Sequence, residues 1–214
     1  QFTTRNRDTY VWPRPWDTPV PRGCDTRWFS ADGADWCEGW FRGPYREYRG
    51  FAPAKAPPKI LDGITHRRGV LFVKPDFWLV HDTLGAAAAG AHTAEALFHL
   101  NAESAESTAG GAVVGTSAKG PGLLLQALGP VAPTVRLVEG EREPPVQGWA
   151  AQYGKAVQDV PMKAVPTAVY ALTWDGQGEM VTLVLPFKPE QRPEVVPQAV
   201  AVAAGKGLAA GFRL

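Results

Sequence analysis

The stretch His66-Arg67-Arg68-Gly69-Val70-Leu71-Phe72-Val73-Lys74-Pro75-Asp76-Phe77-Trp78-Leu79-Val80-His81-Asp82-Thr83-Leu84 decides the fold. Its two ends, 66–73 and 77–84, are dense in β-branched and aromatic residues, which suit a pleated, half-buried surface. Lys74-Pro75-Asp76 between them is turn chemistry: proline pre-sets one backbone angle, and aspartate bonds nearby backbone. Two such runs around a short turn predict a β-hairpin.

Working downstream, residues 92–100 alternate, with Thr93, Glu95, Leu97 and His99 on one face and His92, Ala94, Ala96 and Phe98 on the other. The alanine-rich segment 86–91 lies between Gly85 and Gly90 and reads as a loop. Further strands are expected at 111–117, 122–128, 133–139, 145–152, 167–174 and 180–186, with one or two closing strands in 194–214. Turn clusters such as Lys119-Gly120-Pro121 and Asp175-Gly176-Gln177-Gly178 separate them. Many short strands at this spacing predict an all-β, antiparallel β-sandwich over residues 66–214. Upstream, residues 1–65 are expected to form an irregular, Pro/Trp-rich segment packed on that sandwich, the two making one structural domain. Pro13, Pro15, Pro19 and Pro21 forbid helix and interrupt ladders. Residues 50–59 read as an extended linker, and 35–42 as a short strand.

The composition agrees with a β-rich chain. Its 214 residues include 20 Pro and 23 Gly, too many for long helices. Six of the eight tryptophans fall in the first 78 residues. The net charge of +1 is low for a sequence-independent nucleic-acid binder. No apolar run approaches the ~20 residues of a membrane span, and the polar opening residues do not read as a signal peptide. Cys24 and Cys37 are the only cysteines. Their spacing leaves a disulfide and two separate thiols equally open.

The hairpin residues also carry a resemblance. His66 through Asp82 resembles a signature of heparinase II/III-like proteins, which include alginate, oligoalginate and heparin lyases. In that family the stretch reads roughly His-Arg-Arg-x-Val-Leu-Phe-Val-Lys-Pro-Asp-Tyr-Trp-x-Val-x-Asp. Three further stretches are similar, in the same order: His92 through Leu100, Gly148-Trp149-Ala150-Ala151-Gln152-Tyr153-Gly154-Lys155, and Leu185-Pro186. Arg27-Trp28-Phe29-Ser30 and Asp35-Trp36-Cys37-Glu38-Gly39 match more loosely. The resemblance spans residues 24–190. It implies the β-sandwich that follows an (α/α) toroid in these lyases, and a secreted or periplasmic setting. The toroid, which supplies the Asn, His and Tyr of elimination, has no counterpart in the 214 residues. Of the family's zinc ligands, the first two would fall upstream of Gln1, and Cys24-Asp25-Thr26 stands at the third. Cys24 alone cannot make a site, so no metal or other cofactor is expected within this chain.

Elimination on a uronate polymer needs three things: donors that neutralise the sugar carboxylate, a base near the C5 proton, and an acid for the leaving oxygen. His66 is the candidate catalytic residue, as a proton carrier. Arg27, Trp28, Arg67, Trp149 and Tyr153 are the candidate substrate-binding residues, because Arg pairs bidentately with carboxylate and aromatic faces stack on sugar rings. The opposing reading makes His66 and Arg67 an ordinary strand start, with an Arg paired to Asp82. It also makes the N-terminal Trp and Arg residues mutual packing, since eight arginines there meet seven acids. His81 and His99 are expected to be structural. The expected partners are an acidic polysaccharide and a toroid domain or other protein chain. A non-catalytic glycan-binding or self-assembling sandwich is the alternative.

Overall fold

The computed structural model describes residues 24–42, 45–46, 60–108, 110–129, 131–143, 145–151, 162–193, 196–200 and 209–213. Seventeen strands follow one another: β1 (Cys24–Ser30), β2 (Ala34–Phe41), β3 (Tyr45–Arg46), β4 (Ile60–Leu61), β5 (Ile64–Val73), β6 (Phe77–Ala86), β7 (His92–His99), β8 (Ser104–Ser107), β9 (Val113–Thr116), β10 (Gly122–Ala127), β11 (Thr134–Val138), β12 (Trp149–Ala151), β13 (Met162–Ala164), β14 (Thr167–Trp174), β15 (Gln177–Phe187), β16 (Val196–Val200) and β17 (Ala209–Arg213). Among the described residues the one helical turn is a 3-10 turn at Pro189–Gln191.

Eight strands form one antiparallel sheet in the order β1-β2-β5-β6-β15-β10-β9-β8, and β11-β14-β7 form a second. The expected hairpin is its centre. β5 and β6 pair from Ile64↔Ala86 to Val73↔Phe77, and the turn closes when the Asp76 amide donates to the Val73 carbonyl over 2.8 Å. Register then assigns faces. Leu84, Met180, Leu125 and Val113 pack against Ala94, Ala96, Ala168, Tyr170 and Leu172 of the second sheet. This is the interior of an antiparallel sandwich, and the alternation expected for 92–100 points Ala94 and Ala96 into it. Tyr170 crosses the core, and its hydroxyl donates to the Leu125 carbonyl over 3.1 Å. Burial pushes this phenol's pKa up.

The outer face of the large sheet is not uniform. Val114, Leu124, Leu183, Leu185 and Phe187, with Phe77, Leu79 and Val181, make a second apolar cluster over β6, β15, β10 and β9. Over β1, β2 and β5 the same face carries arginines, tryptophans and a glutamate.

The upstream boundary differs from expectation. Residues 24–41 were to be irregular apart from 35–42, yet they form the β1–β2 hairpin. Its register runs from Cys24↔Phe41 to Ser30↔Asp35, and β2 continues onto β5 from Ala34↔Val73 to Phe41↔His66. The physical reason is local. The prolines that argued against ladders stop at Pro21, none lies in 24–42, and Trp28, Phe29, Trp36 and Trp40 favour strand. The turn at 31–34 closes with a 2.8 Å bond from the Ala31 amide to the Ala34 carbonyl. Ser104–Ser107, too polar to read as a strand, pairs with β9. In the tail, β16 and β17 pair with each other, as two closing strands would. The expected linker at 50–59 lies outside the described residues.

The Trp149 segment turns on Gly148, whose φ is +78°. A Cβ there would stand 2.7 Å from both Glu139 Cα and Gly140 N. Gly148→Ala is therefore expected to lower stability by more than about 1–2 kcal/mol, through both clash and left-handed strain. Gly176→Ala, at φ +66° with open space around it, should show only the conformational part. Urea denaturation of the two variants checks the difference.

Candidate functional site

Strand alternation separates residues that are neighbours in sequence. Arg67 and His66 point to opposite faces of β5, as do Arg27 and Trp28 of β1. The expected site therefore divides in two.

On the outer face, Arg27, Glu38 and Gly69 share one cross-strand row, and Trp40 and Arg67 share the next. Glu38 is only 6% exposed. Its Oε2 accepts from Arg67 Nε at 3.0 Å and from Arg67 Nη2 as well. Its Oε1 lies 3.7 Å from Arg27 Nη1. Arg27 is otherwise open, with 82% of its side chain exposed. The Arg67 guanidinium lies 5.5 Å from the centre of the Trp40 ring, and that of Arg42 lies 5.0 Å from it. These are cation–π distances. Trp36 lies over Gly69, filling the space a side chain there would take.

On the inner face, Asp82 is fully buried. Arg68 clamps it from the neighbouring strand, Nε to Oδ1 at 2.7 Å and Nη2 to Oδ2 at 2.9 Å. His66 Nε2 lies 2.7 Å from Oδ1. Burial pushes the Asp82 carboxyl up, but the bonds from His66 and Arg68 and their charges outweigh it, and its pKa is lowered. Asp82 is thus a carboxylate, and His66 Nε2 must be the donor. Tyr45 approaches from β3. Burial, with a smaller contribution from the Asp82 charge, pushes its phenol up to about 12, and its buried hydroxyl has no hydrogen-bond partner. His66 itself is 7% exposed. Trp28, on the same sheet face but at the edge strand, is 69% exposed.

The remaining candidates lie elsewhere or beyond description. Trp149 sits on the β12–β13 ribbon, its Nε1 donating to the Glu141 carbonyl at 2.8 Å. Tyr153 lies outside the described residues. His81 pairs with Glu179 at 2.8 Å. The hairpin register places Cys24 opposite Phe41 and Cys37 opposite Trp28. Four positions along a strand is about 13 Å, beyond disulfide reach, and Cys37 is free. Among the described residues no group of three or more His, Cys, Asp or Glu could hold a metal ion.

Sequence reasoning missed Glu38, the anchor of the outer cluster. Glu38 stood in a period-two row between Trp36 and Trp40, a signal that it shared their face. Asp82 was expected to cap a turn or pair with an Arg, and it does pair with one.

Solved structures then give the architecture a context. The heparan sulfate lyase HepC from Pedobacter heparinus matches 83% of this chain with a TM-score of 0.60 at 17% identity. The heparinase III BT4657 gene product matches 89% at 0.59 and 13%, and a further heparinase III matches 88% at 0.59 and 12%. This chain has the fold of part of a heparan sulfate lyase. It spans about a quarter of those lyases' length: 24%, 26% and 27% respectively. No family model and no curated protein matches the chain. No helix among the described residues is long and apolar enough to cross a membrane.

The Asp82 cluster makes a pH prediction. A lowered folded pKa means its stabilisation is complete above about pH 4 and is lost as pH falls through the folded value. Thermal melts from about pH 6 down to about pH 2 should show this acid loss in the wild type and a flatter profile in Asp82→Asn. That variant should also be about 1–3 kcal/mol less stable near neutrality, because Arg68 and His66 lose a charged partner.

Proposed function

We propose that the chain is the β-sandwich module of a polysaccharide lyase that cleaves acidic, uronate-containing polysaccharide by β-elimination. In this reading it forms a wall of the substrate cleft, in a secreted or periplasmic enzyme. The observation that carries the reading is the fold shared with heparan sulfate lyases over 83–89% of the chain. Exposed arginines on a wall suit the first requirement of elimination, which is to neutralise the sugar carboxylate so that charge can develop on it. Arg27 and Arg67 are the groups offered for this.

The proton transfers are a separate matter. The His66 ring donates one proton to a buried carboxylate and is nearly closed to solvent. A base must come within hydrogen-bond reach of the proton it removes. We therefore assign His66 a supporting place behind the wall. Base and acid would come from a toroid domain or another chain.

A second reading, a glycan-binding or self-assembling module without catalysis, is favoured by Trp28 and Phe29. They are 69% and 61% exposed on the edge strand β1. Exposed aromatics on a strand that is last in its sheet among the described residues suit sugar stacking or strand addition.

The two readings part on whether this chain works with catalytic machinery. Affinity electrophoresis should show the chain retarded by heparan sulfate or alginate and not by a neutral glucan. The same chain should release no unsaturated uronate, read by ultraviolet absorbance. Product from the chain alone would overturn the wall assignment. Loss of all retardation would overturn the acidic-polysaccharide reading.

A further inference from the structure

We infer that the outer face of β1, β2 and β5 is an acidic-sugar subsite organised by the buried Glu38 carboxylate. Arg27 and Arg67 would receive the sugar's carboxylate or sulfate, and the Trp40 edge would meet its ring. The inference rests on the proposal that the ligand is an acidic polysaccharide, and it names where and through which groups that ligand binds.

The first argument is donor supply. An arginine carries five N–H donors. Arg67 uses two on one oxygen of Glu38 and keeps 43% of its side chain exposed. Arg27 reaches Glu38 only as a 3.7 Å ion pair and is 82% exposed. A single internal carboxylate thus leaves most N–H groups of both arginines facing solvent. Just past the end of β2, Arg42 places a third guanidinium over the Trp40 ring.

The second argument is preorganisation. Glu38 is out of water and hydrogen-bonded, and Arg67 also lies over Trp40, so the guanidinium is held before any ligand arrives. Holding a long side chain in place beforehand removes part of the ordering cost at binding. A planar fork fixed in this way recognises a carboxylate or sulfate edge-on.

The third argument is the neighbouring surface. Phe29, 61% exposed, pairs across the ladder with Trp36, which covers Gly69. Apolar rings next to a cationic row match a sugar, which shows an apolar ring face and charged edges. A nucleic acid would call for a more strongly basic protein, and the net charge of this chain is +1.

Isothermal titration with a sulfated heparan oligosaccharide, an oligoalginate and a neutral cello-oligosaccharide tests the subsite. Arg27→Ala is the first variant, because its exposed side chain leaves the core untouched. Arg67→Lys keeps the charge and removes the fork, and Trp40→Leu removes the ring. Arg136→Ala, on the second sheet, is the control, and thermal melts verify that each variant folds. At least one acidic oligosaccharide should bind the wild type, with about a tenfold loss in each of the three face variants and no change in the control. If the wild type binds and all three variants bind equally well, the subsite is wrong and the polysaccharide reading stands. If the wild type binds no acidic oligosaccharide, the polysaccharide reading itself fails. Equal displacement by single-stranded RNA at the same salt would overturn the sugar assignment.

Discussion

A carboxylate entirely removed from water sits at the centre of this fold. Asp82 has no exposed surface, and an isolated charge in that position would be prohibitive. It is tolerable because Arg68 grips both of its oxygens from the adjacent strand while His66 donates from two residues away on the same face. Arg68 and Asp82 are also direct cross-strand partners. The ion pair and the hairpin register are therefore one constraint. A slip of one residue would send Asp82 to the outer face and expose the apolar set that alternates with it. β2 is laid on β5 and β15 on β6, so the pairing of that hairpin propagates into the whole eight-stranded sheet.

The same alternation divides the labour of the surface. The inner face closes on the second sheet through Leu84, Met180 and Leu125. The same face carries the polar Asp82 cluster and, on the edge strand, the exposed Trp28. The outer face is apolar over β15 and β10 and turns cationic and aromatic over β1, β2 and β5. One continuous ladder thus supports a closed core at one end and an open, charged wall at the other.

Much of this was legible in the residues. The hairpin at 66–84, the loop expected at 86–91, the alternation expected at 92–100 and the strand at 167–174 follow from periodicity and turn chemistry; the structure has each of them, the loop at 87–91 and the alternating strand at 92–99. The order of four short stretches also pointed to the lyase fold. The β1–β2 hairpin was less visible, because proline density was read across 1–65 although residues 24–42 contain none. The candidate site suffered from a different effect. His66-Arg67 and Arg27-Trp28 look like pairs in the sequence, and a strand turns each pair into residues on opposite sides of a sheet. The pairing of Asp82 with an arginine was legible in the residues, whereas Glu38 announces itself only once strand partners are known, since its significance lies 29 residues away in Arg67.

Gly69 shows how one position can govern another without touching it chemically. Its backbone is ordinary strand, so nothing in its torsions calls for glycine. What calls for it is the Trp36 ring, diagonal to it on β2, which fills the volume a side chain would need. The two residues share a single allotment of space. A bulkier residue at 69 becomes admissible only when residue 36 shrinks, and a smaller residue 36 leaves a hollow that position 69 can fill. The relief of this wall, and with it the shape of whatever lies against it, would then evolve by paired exchange along a diagonal rather than one residue at a time.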